Sequence, residues 1–167
     1  SLINEAQSLK IKIIPPDINS SKPDFSVTNK SEIQYGLAAI KNIGYKASKL
    51  IYQQRKQDGS YNSIFSMSKS LANGIINKKI LEILIVSGAC DSLNFKRSQL
   101  YEIIDQALKF GQNYKNNQNQ NQESLFSSND SNVIVEPQIP EIQEWDKNDL
   151  LAKEKEILGF YLTGDPV

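Results

Sequence analysis

Short runs of apolar residues at helical spacing, separated by turn residues, constrain this chain most. Between Leu37 and Phe110 the runs are interrupted four times, at residues 42–44, 58–59, 72–74 and 87–88. Each run is too short to bury its own apolar face, and an isolated helix of that length is marginal in water. The pattern therefore predicts a compact, mainly α body in which short helices pack against one another.

The same pattern predicts where the individual elements lie. Ile11–Ile14, followed by two prolines, indicates a short strand, and Ile33–Leu37 indicates a second strand or an irregular segment. A short helix is expected from Leu37 to the break at residues 42–44. Further helices are expected over residues 45–57, 64–71, 78–86, 97–110 and 147–158, with Asn77 as the cap of helix 78–86. The predicted fold is mainly α, with a short N-terminal β segment and a C-terminal helix.

A polar tract separates the predicted body from the last helix. Eleven of the 21 residues from Gln112 to Asn132 are Asn or Gln. Such a tract cannot bury enough apolar surface to offset the entropy of ordering it. We therefore expect a flexible, disordered linker over residues 112–140, although Leu125 and Phe126 lie side by side in the middle of it.

Composition excludes several classes of function. The 167 residues include no His, which rules out His-based metal sites and the common Ser-His and Cys-His catalytic pairs. The single cysteine, Cys90, excludes an internal disulfide, fits a reducing cytosol and is expected to be a packed residue. Neither a signal peptide nor an apolar run of membrane-spanning length is present. We expect a cytoplasmic protein with no membrane partner.

Charge is distributed unevenly along the chain. Residues 1–111 contain 15 Lys and Arg against 9 Asp and Glu, whereas residues 112–167 contain 4 against 10. A basic body favours polyanion binding, with an ordinary solvated surface as the alternative. The acidic residues of the second part cluster before and within the last helix, where the helix dipole favours negative charge, at Glu141, Glu144, Asp146 and Asp149.

Residues 37–55, LAAIKNIGYKASKLIYQQR, resemble a helix-hairpin-helix motif, in which two short helices flank a Gly-hydrophobic-Gly turn. Asn42 takes the first glycine position and Gly44 the second, and both residue types enter the left-handed region. Such a turn leaves amides unpaired at the start of the second helix, where the helix dipole makes an anion site suited to a DNA phosphate. A plain helical corner with surface lysines is the alternative.

A second unit of the same kind is predicted over residues 78–104. Gly88 lies in its turn, and Lys96 and Arg97 open the next helix. Either this unit also contacts DNA or its role is structural. Binding through such turns would be largely independent of sequence, because phosphates carry no base identity.

Four stretches in order resemble the alpha subunits of bacterial DNA polymerase III, the C-family replicative polymerases: PPDIN (15–19), YGLAAIKNIG (35–44), SGACDSL (87–93) and EKEILGFYLTGDP (154–166). The resemblance implies the end of a fingers domain at 1–30, a tandem helix-hairpin-helix domain at 31–111, a linker at 112–140 and a helix entering an OB-fold at 141–167. The missing initial Met and the end at Val167 fit a fragment of a longer chain.

The resemblance also implies a function. The parent enzyme would be a DNA-directed DNA polymerase that uses Mg²⁺, with its catalytic aspartates in a palm domain upstream. No catalytic residue, metal ligand or cofactor is therefore expected in this chain. In the family the hairpin domain contacts duplex DNA, and this gives Lys41, Asn42, Ile43, Gly44, Tyr45 and Lys46 as the expected contacts, with Gly88, Lys96 and Arg97 of the second unit.

The same family carries a short peptide that docks on the sliding clamp. Its usual pattern is Gln, any residue, a small or polar residue, Leu and Phe, and residues 122–126 match it. The resemblance implies that Leu125 and Phe126 fill an apolar pocket on the clamp, while Gln122 forms hydrogen bonds at its edge and Ser124 takes the small position. The alternative is that Leu125 and Phe126 fold back onto the helical body.

Two rival functions remain open at this stage. One is a protein-interaction or spacer module that holds other replicase subunits and makes no direct contact with DNA. The other is a stand-alone repair or junction-binding protein. The expected partners under the first interpretation are double-stranded DNA, the sliding clamp and other replicase subunits.

Overall fold

The computed structural model describes residues 10–123 and 135–158, with the backbone alone for residues 119–123. Three short strands form a sheet: β1 (Lys12–Ile14), β2 (Ser26–Asn29) and β3 (Glu32–Gln34). β3 lies in the middle, parallel to β1 and antiparallel to β2. The strand predicted at residues 11–14 is confirmed, and the second apolar stretch, which the sequence left open, is a strand.

The sequence does not predict β2, because this strand is polar and its one apolar side chain, Val27, is 75% exposed. β2 forms through pairing with β3, in which Val27 lies opposite Ile33. Between the two strands the Asn29 side chain accepts a hydrogen bond from the Ser31 amide at 2.9 Å and closes the turn. The sheet therefore joins residues on both sides of the boundary expected at residue 30.

Within the described ranges six α-helices follow the sheet: α1 (Tyr45–Asp58), α2 (Ile64–Ser70), α3 (Lys78–Val86), α4 (Arg97–Glu102), α5 (Ile104–Glu123) and α6 (Lys147–Leu158). The predicted mainly α class is confirmed. Local signals fix several ends. The Asn77 side chain accepts a hydrogen bond from the Ile80 amide at 2.8 Å, as predicted for the cap of α3.

One predicted helix, 97–110, is divided in two. α4 ends at Glu102, Ile103 leaves the helical conformation, and α5 begins at Ile104. Ile103 and Ile104 are both buried, at 1% and 2% exposure. In an uninterrupted surface helix with one apolar face, one of two consecutive residues would turn toward solvent. The interruption allows both to enter the core. Neither Gly nor Pro marks it in the sequence.

The prediction that this helix ends at Phe110 is wrong, because α5 continues to Glu123. Packing against α2 supports the added turns. The rings of Phe65 and Phe110 lie 5.4 Å apart, and the Lys69 ammonium lies 4.6 Å from the centre of the Tyr114 ring. Since lengthening a helix is easier than starting one, the polar residues beyond Tyr114 continue it.

The sheet and the helices, including the C-terminal helix α6, share one hydrophobic core. Leu158 at the end of α6 belongs to that core, and its carbonyl accepts a hydrogen bond from the Tyr35 hydroxyl at 3.3 Å. Residues 135–146 have no regular structure but pack on the body. Ile139 contacts the core, and the Pro140 carbonyl accepts a hydrogen bond from the Gln99 side chain at 2.9 Å.

In the two described ranges, none of the helices combines the length and apolarity needed to cross a membrane.

Candidate functional site

The first hairpin turn has the backbone that the sequence predicts. Residues 41–46, which we call the corner, connect a 3₁₀ turn at Leu37–Ala39 to α1. Asn42 has φ 69° and Gly44 has φ 83°, so both lie in the region that Asn and Gly tolerate best. The use of Asn at the first position is thus compatible with the turn.

The corner is attached to the rest of the protein by several contacts, and most of its residues are exposed to solvent. Ile43 is buried at 5% exposure and fixes the turn to the core, while its amide donates to the Ile40 carbonyl at 3.2 Å. The Lys41 amide donates to the Ile157 carbonyl of α6 at 3.1 Å. The other five corner residues are exposed: Lys41, Asn42, Gly44, Tyr45 and Lys46. The turn is therefore held by contacts to the core and to α6, and its other residues are accessible from solvent.

The first amides of α1 lie next to Gly44, at the start of the helix. The first bond of the helix runs from the Ser48 amide to the Gly44 carbonyl at 3.2 Å, so the amides before Ser48 precede the helical bonding pattern. Gly44 has no capping side chain, and no atom lies within 4 Å of the position that a Cβ would occupy. This leaves room for an anion at the positive end of a 14-residue helix.

The charges around the corner favour an anion as well. The first turn of α1 contains no acidic residue. Lys41 and Lys46 flank the open amides, and neither takes part in an ion pair among the described residues. Amides at a helix start, the helix dipole and nearby lysines are the features by which proteins commonly bind phosphate.

The second turn differs from the first, because two of its residues that the sequence predicted as contacts, Gly88 and Arg97, are buried. Arg97 is buried at 4% exposure, where its guanidinium donates to Asp91 at 2.9 and 3.0 Å and to Glu154 at 3.0 Å. Gly88 is also buried, with φ 89°, and a Cβ at this position would collide with the Arg97 guanidinium. Arg97 thus belongs to an internal ion-pair cluster with Asp91 and Glu154, and Gly88 packs against its guanidinium.

The cluster keeps Arg97 charged inside the body. Burial alone would lower the pKa of Arg97, but the hydrogen bond and charge of Asp91 and the charge of Glu154 outweigh it and raise the pKa above its ordinary value. Sequence reasoning missed this cluster because Glu154 lies 57 residues away from Arg97. Its only local signal was the acidic residue Asp91 within the same turn.

The amides at the start of α4 are already bound by a carboxylate. Glu144 accepts hydrogen bonds from the amides of Arg97 and Ser98 at 2.9 and 3.0 Å, and from that of Trp145 at 2.9 Å. The sequence placed this residue at the start of the last helix, where acidic residues stabilise the dipole, but the helix whose start it binds is α4. Lys96 is exposed, and its ammonium lies 3.3 Å from the Ile142 carbonyl.

These bonds give Glu144 a pH-dependent role in stability. Partial burial would raise the pKa of its carboxyl, but the hydrogen bonds from Trp145, Ser98 and Arg97 outweigh this and hold the pKa below the ordinary 4.5. A lowered folded-state pKa contributes stability that is present above pH 4.5 and is lost as the pH falls through the lowered value.

We therefore expect Glu144→Gln to be less stable than the parent chain at pH 7, by about 1–2 kcal/mol, because a charged acceptor becomes neutral at a partly exposed site. The difference should shrink as the pH falls below 4.5. Urea unfolding at several pH values measures it. Glu141→Gln, an exposed carboxyl on the same segment, is the control. Equal losses in both variants at pH 7 would contradict the role of Glu144.

Most of the predicted clamp-binding residues lie outside the described residues. The backbone of Gln122 belongs to α5, but its side chain is not described, and Ser124, Leu125 and Phe126 fall in the undescribed range. Cys90 is fully buried, as expected of a packed residue, and burial raises the pKa of its thiol. The described residues contain no group of three or more side chains suited to hold a metal ion.

Comparison with known proteins adds a family and a set of relatives. The helix-hairpin-helix motif family matches residues 10–100. The DNA polymerase III subunit alpha of Borreliella burgdorferi is 37% identical over 99% of this chain. Those of Buchnera aphidicola subsp. Acyrthosiphon pisum and Staphylococcus epidermidis are 34% and 36% identical, over 99% and 100% of this chain. The chain covers 14%, 14% and 15% of these three relatives. It is therefore homologous to one segment of these alpha subunits.

Proposed function

We propose a function from one premise: this chain belongs to the helix-hairpin-helix motif family, a DNA-binding motif type. The function is binding of duplex DNA without regard to sequence. In this proposal a backbone phosphate occupies the opening at the corner, held by the first amides of α1 and flanked by Lys41 and Lys46. Such contacts give affinity and position but carry no information about the bases.

One observation carries the proposal. The corner is open to solvent. Asn42 and Gly44 have positive φ, and no atom lies within 4 Å of the position that a Cβ on Gly44 would occupy. The equivalent amides of the second turn already bind Glu144, and Arg97 is committed to an internal ion pair. We therefore assign DNA contact to the first turn and a structural role to Gly88 and Arg97. Lys96 stays exposed and is retained as a peripheral contact.

The relatives support a wider proposal about the longer protein. We propose that this chain is one segment of a bacterial replicative DNA polymerase, a cytoplasmic nucleotidyltransferase that works with other replicase subunits. The chain spans about 14% of the length of the relatives it matches. Polymerisation and the Mg²⁺ that it requires would belong to the remainder of that protein, and we assign no catalytic step to residues of this chain.

A second contact is proposed for the polar tract. Residues 122–126, which we call the clamp motif, would bind a pocket on a sliding clamp through Leu125 and Phe126. Its place in the sequence supports the proposal, because the motif begins at the end of α5 and lies in a tract rich in Asn and Gln. Binding of clamp and duplex by one chain would raise the effective concentration of each for the other.

The corner is tested by removing its two lysine charges. We expect Lys41→Gln/Lys46→Gln to weaken binding of a blunt duplex by roughly tenfold near physiological salt, because two phosphate contacts lose their charge. The slope of log affinity against log salt should fall by roughly one per lysine. Fluorescence anisotropy of a labelled duplex, titrated with the 167-residue chain at several salt concentrations, measures both.

The control removes the same charge elsewhere. Lys79→Gln/Lys109→Gln changes two exposed lysines far from the corner in sequence and should leave most of the affinity and slope in place. Equal effects of the two pairs would show that net charge alone drives binding and would contradict the corner site. No duplex binding by the parent chain at low salt would support the rival function, a replisome spacer without DNA contact.

A further inference from the structure

A groove lies beside the corner and extends along α1. Its volume is about 380 Å³, within the range of small-ligand sites. The side chains that matter for its chemistry are three lysines and three aromatic residues, at Lys22, Lys49, Lys56, Phe25, Tyr45 and Tyr52. One residue, Tyr45, belongs to both the groove and the corner. The groove is thus continuous with the proposed phosphate site.

One face of α1 alternates aromatic and basic residues. Tyr45, Lys49, Tyr52 and Lys56 follow each other at spacings of four, three and four residues, which places them in one row on a helix. The row is about 16 Å long at the helical rise of 1.5 Å per residue. Lys22 and Phe25, from the segment that leads into β2, form the opposite wall of the groove.

The lysines of the groove are available to a ligand. Lys22, Lys49 and Lys56 are all exposed, and none of them belongs to an ion pair among the described residues. Asp24 lies on the rim as the acidic member of the lining. Three cations against one carboxylate give the groove a net positive charge that attracts anions.

The aromatic rings distinguish between kinds of nucleic acid. Tyr45 is 55% exposed, and Tyr52 is half-buried, with the Lys56 ammonium 5.0 Å from its ring centre. In a duplex the base faces are stacked inside and are closed to such rings. In a single strand they are free, and stacking on aromatic side chains next to a basic track binds them without sequence preference.

We propose that this groove binds unpaired nucleotides of single-stranded DNA. The proposal rests on the proposed function at the corner and deepens it. The chain would hold a duplex phosphate at the corner and the adjoining single strand along α1, so that its preferred ligand is a duplex with a single-stranded extension. Lysines would contact the phosphates of that extension, and Tyr45 would stack on a base.

The test compares three kinds of labelled DNA that share one duplex. One kind is blunt, and one carries a short oligothymidine overhang, made as a 3′ form and as a 5′ form. The third carries an overhang of abasic sites at the position of the better oligothymidine form. We expect the 167-residue chain to bind the better oligothymidine form at least about tenfold more tightly than the blunt duplex, since each stacked base adds affinity. The abasic overhang, which keeps its phosphates, should give a smaller gain.

Variants separate the stacking and charge contributions. Tyr45→Ala should remove the difference between the oligothymidine and abasic overhangs, whereas Tyr45→Phe should retain it. Lys49→Gln/Lys56→Gln should reduce the gain from either overhang, and the control Lys79→Gln/Lys109→Gln should not. Because these side chains are exposed or half-buried on a formed helix, circular dichroism should show all variants folded.

The outcomes distinguish the groove from the corner. A blunt duplex bound as tightly as the oligothymidine form overturns the groove alone. Equal gains from oligothymidine and abasic overhangs overturn the stacking role of Tyr45 and with it the proposal. Binding of the oligothymidine form without binding of the blunt duplex supports the groove and overturns the corner. Binding of none of these DNAs overturns both.

Discussion

Replacing Glu154 with Ala is expected to lower the free energy of unfolding by about 3–5 kcal/mol, the largest stability loss among the changes considered. The Glu154 side chain is 1% exposed and its oxygen lies 3.0 Å from the Arg97 guanidinium. In the variant, Arg97 stays buried and Asp91 is the one carboxylate of the cluster that still pairs with it. Asp91 is half exposed. Urea unfolding followed by circular dichroism measures the loss.

Two further variants make this prediction specific. Glu156→Ala removes an exposed carboxyl two residues along α6 and should change stability by less than about 0.5 kcal/mol. Arg97→Met/Glu154→Leu removes both buried charges and should recover much of the stability lost in Glu154→Ala, because apolar residues of similar size can replace a buried ion pair. A Glu154→Ala variant as stable as Glu156→Ala would show that Arg97 is not held by this pair.

The second large effect is expected at the clamp motif. Leu125→Ala/Phe126→Ala should abolish binding of the chain to a bacterial sliding clamp, because burial of the two side chains contributes roughly 3–6 kcal/mol before ordering costs. A loss of that size lowers affinity by a factor of at least about a hundred. Surface plasmon resonance with immobilised clamp and the whole chain in solution measures it.

The control for this variant changes neighbours of the motif. Ser127→Ala/Ser128→Ala lies next to the motif and removes two side chains from the same polar tract. It should bind the clamp like the parent chain. If Leu125→Ala/Phe126→Ala kept its clamp affinity but lost stability to urea, both side chains would belong to the helical body, and the proposed tether would be wrong.

Local signals in the sequence predicted the parts of the fold that depend on neighbouring residues. These signals act within a few residues along the chain. They are the cap Asn77, the positive φ of Asn42 and Gly44, and the apolar faces of the helices. The corner was therefore predicted with the correct backbone. β2 was not, because its pairing with β3 and not its own polar residues makes it a strand.

The second turn shows why the rest was not predictable. Arg97 follows a turn and precedes a helix, and by sequence it resembles a residue that faces a phosphate. Its partner Glu154 is 57 residues away, and Glu144, which binds the Arg97 amide, is 47 residues away. No local pattern links them. Carboxylates from distant positions in the chain therefore bind at the second turn, where the sequence predicted contact with DNA.

The end of α6 touches the corner directly. The Lys41 amide donates to the Ile157 carbonyl, and the Tyr35 hydroxyl donates to the next carbonyl, that of Leu158. Displacement of α6 along its axis is therefore transmitted to Lys41, only a few residues before the amides that we propose hold phosphate. We therefore expect a change in the position of α6 to alter the affinity of the corner for the DNA that we propose it binds.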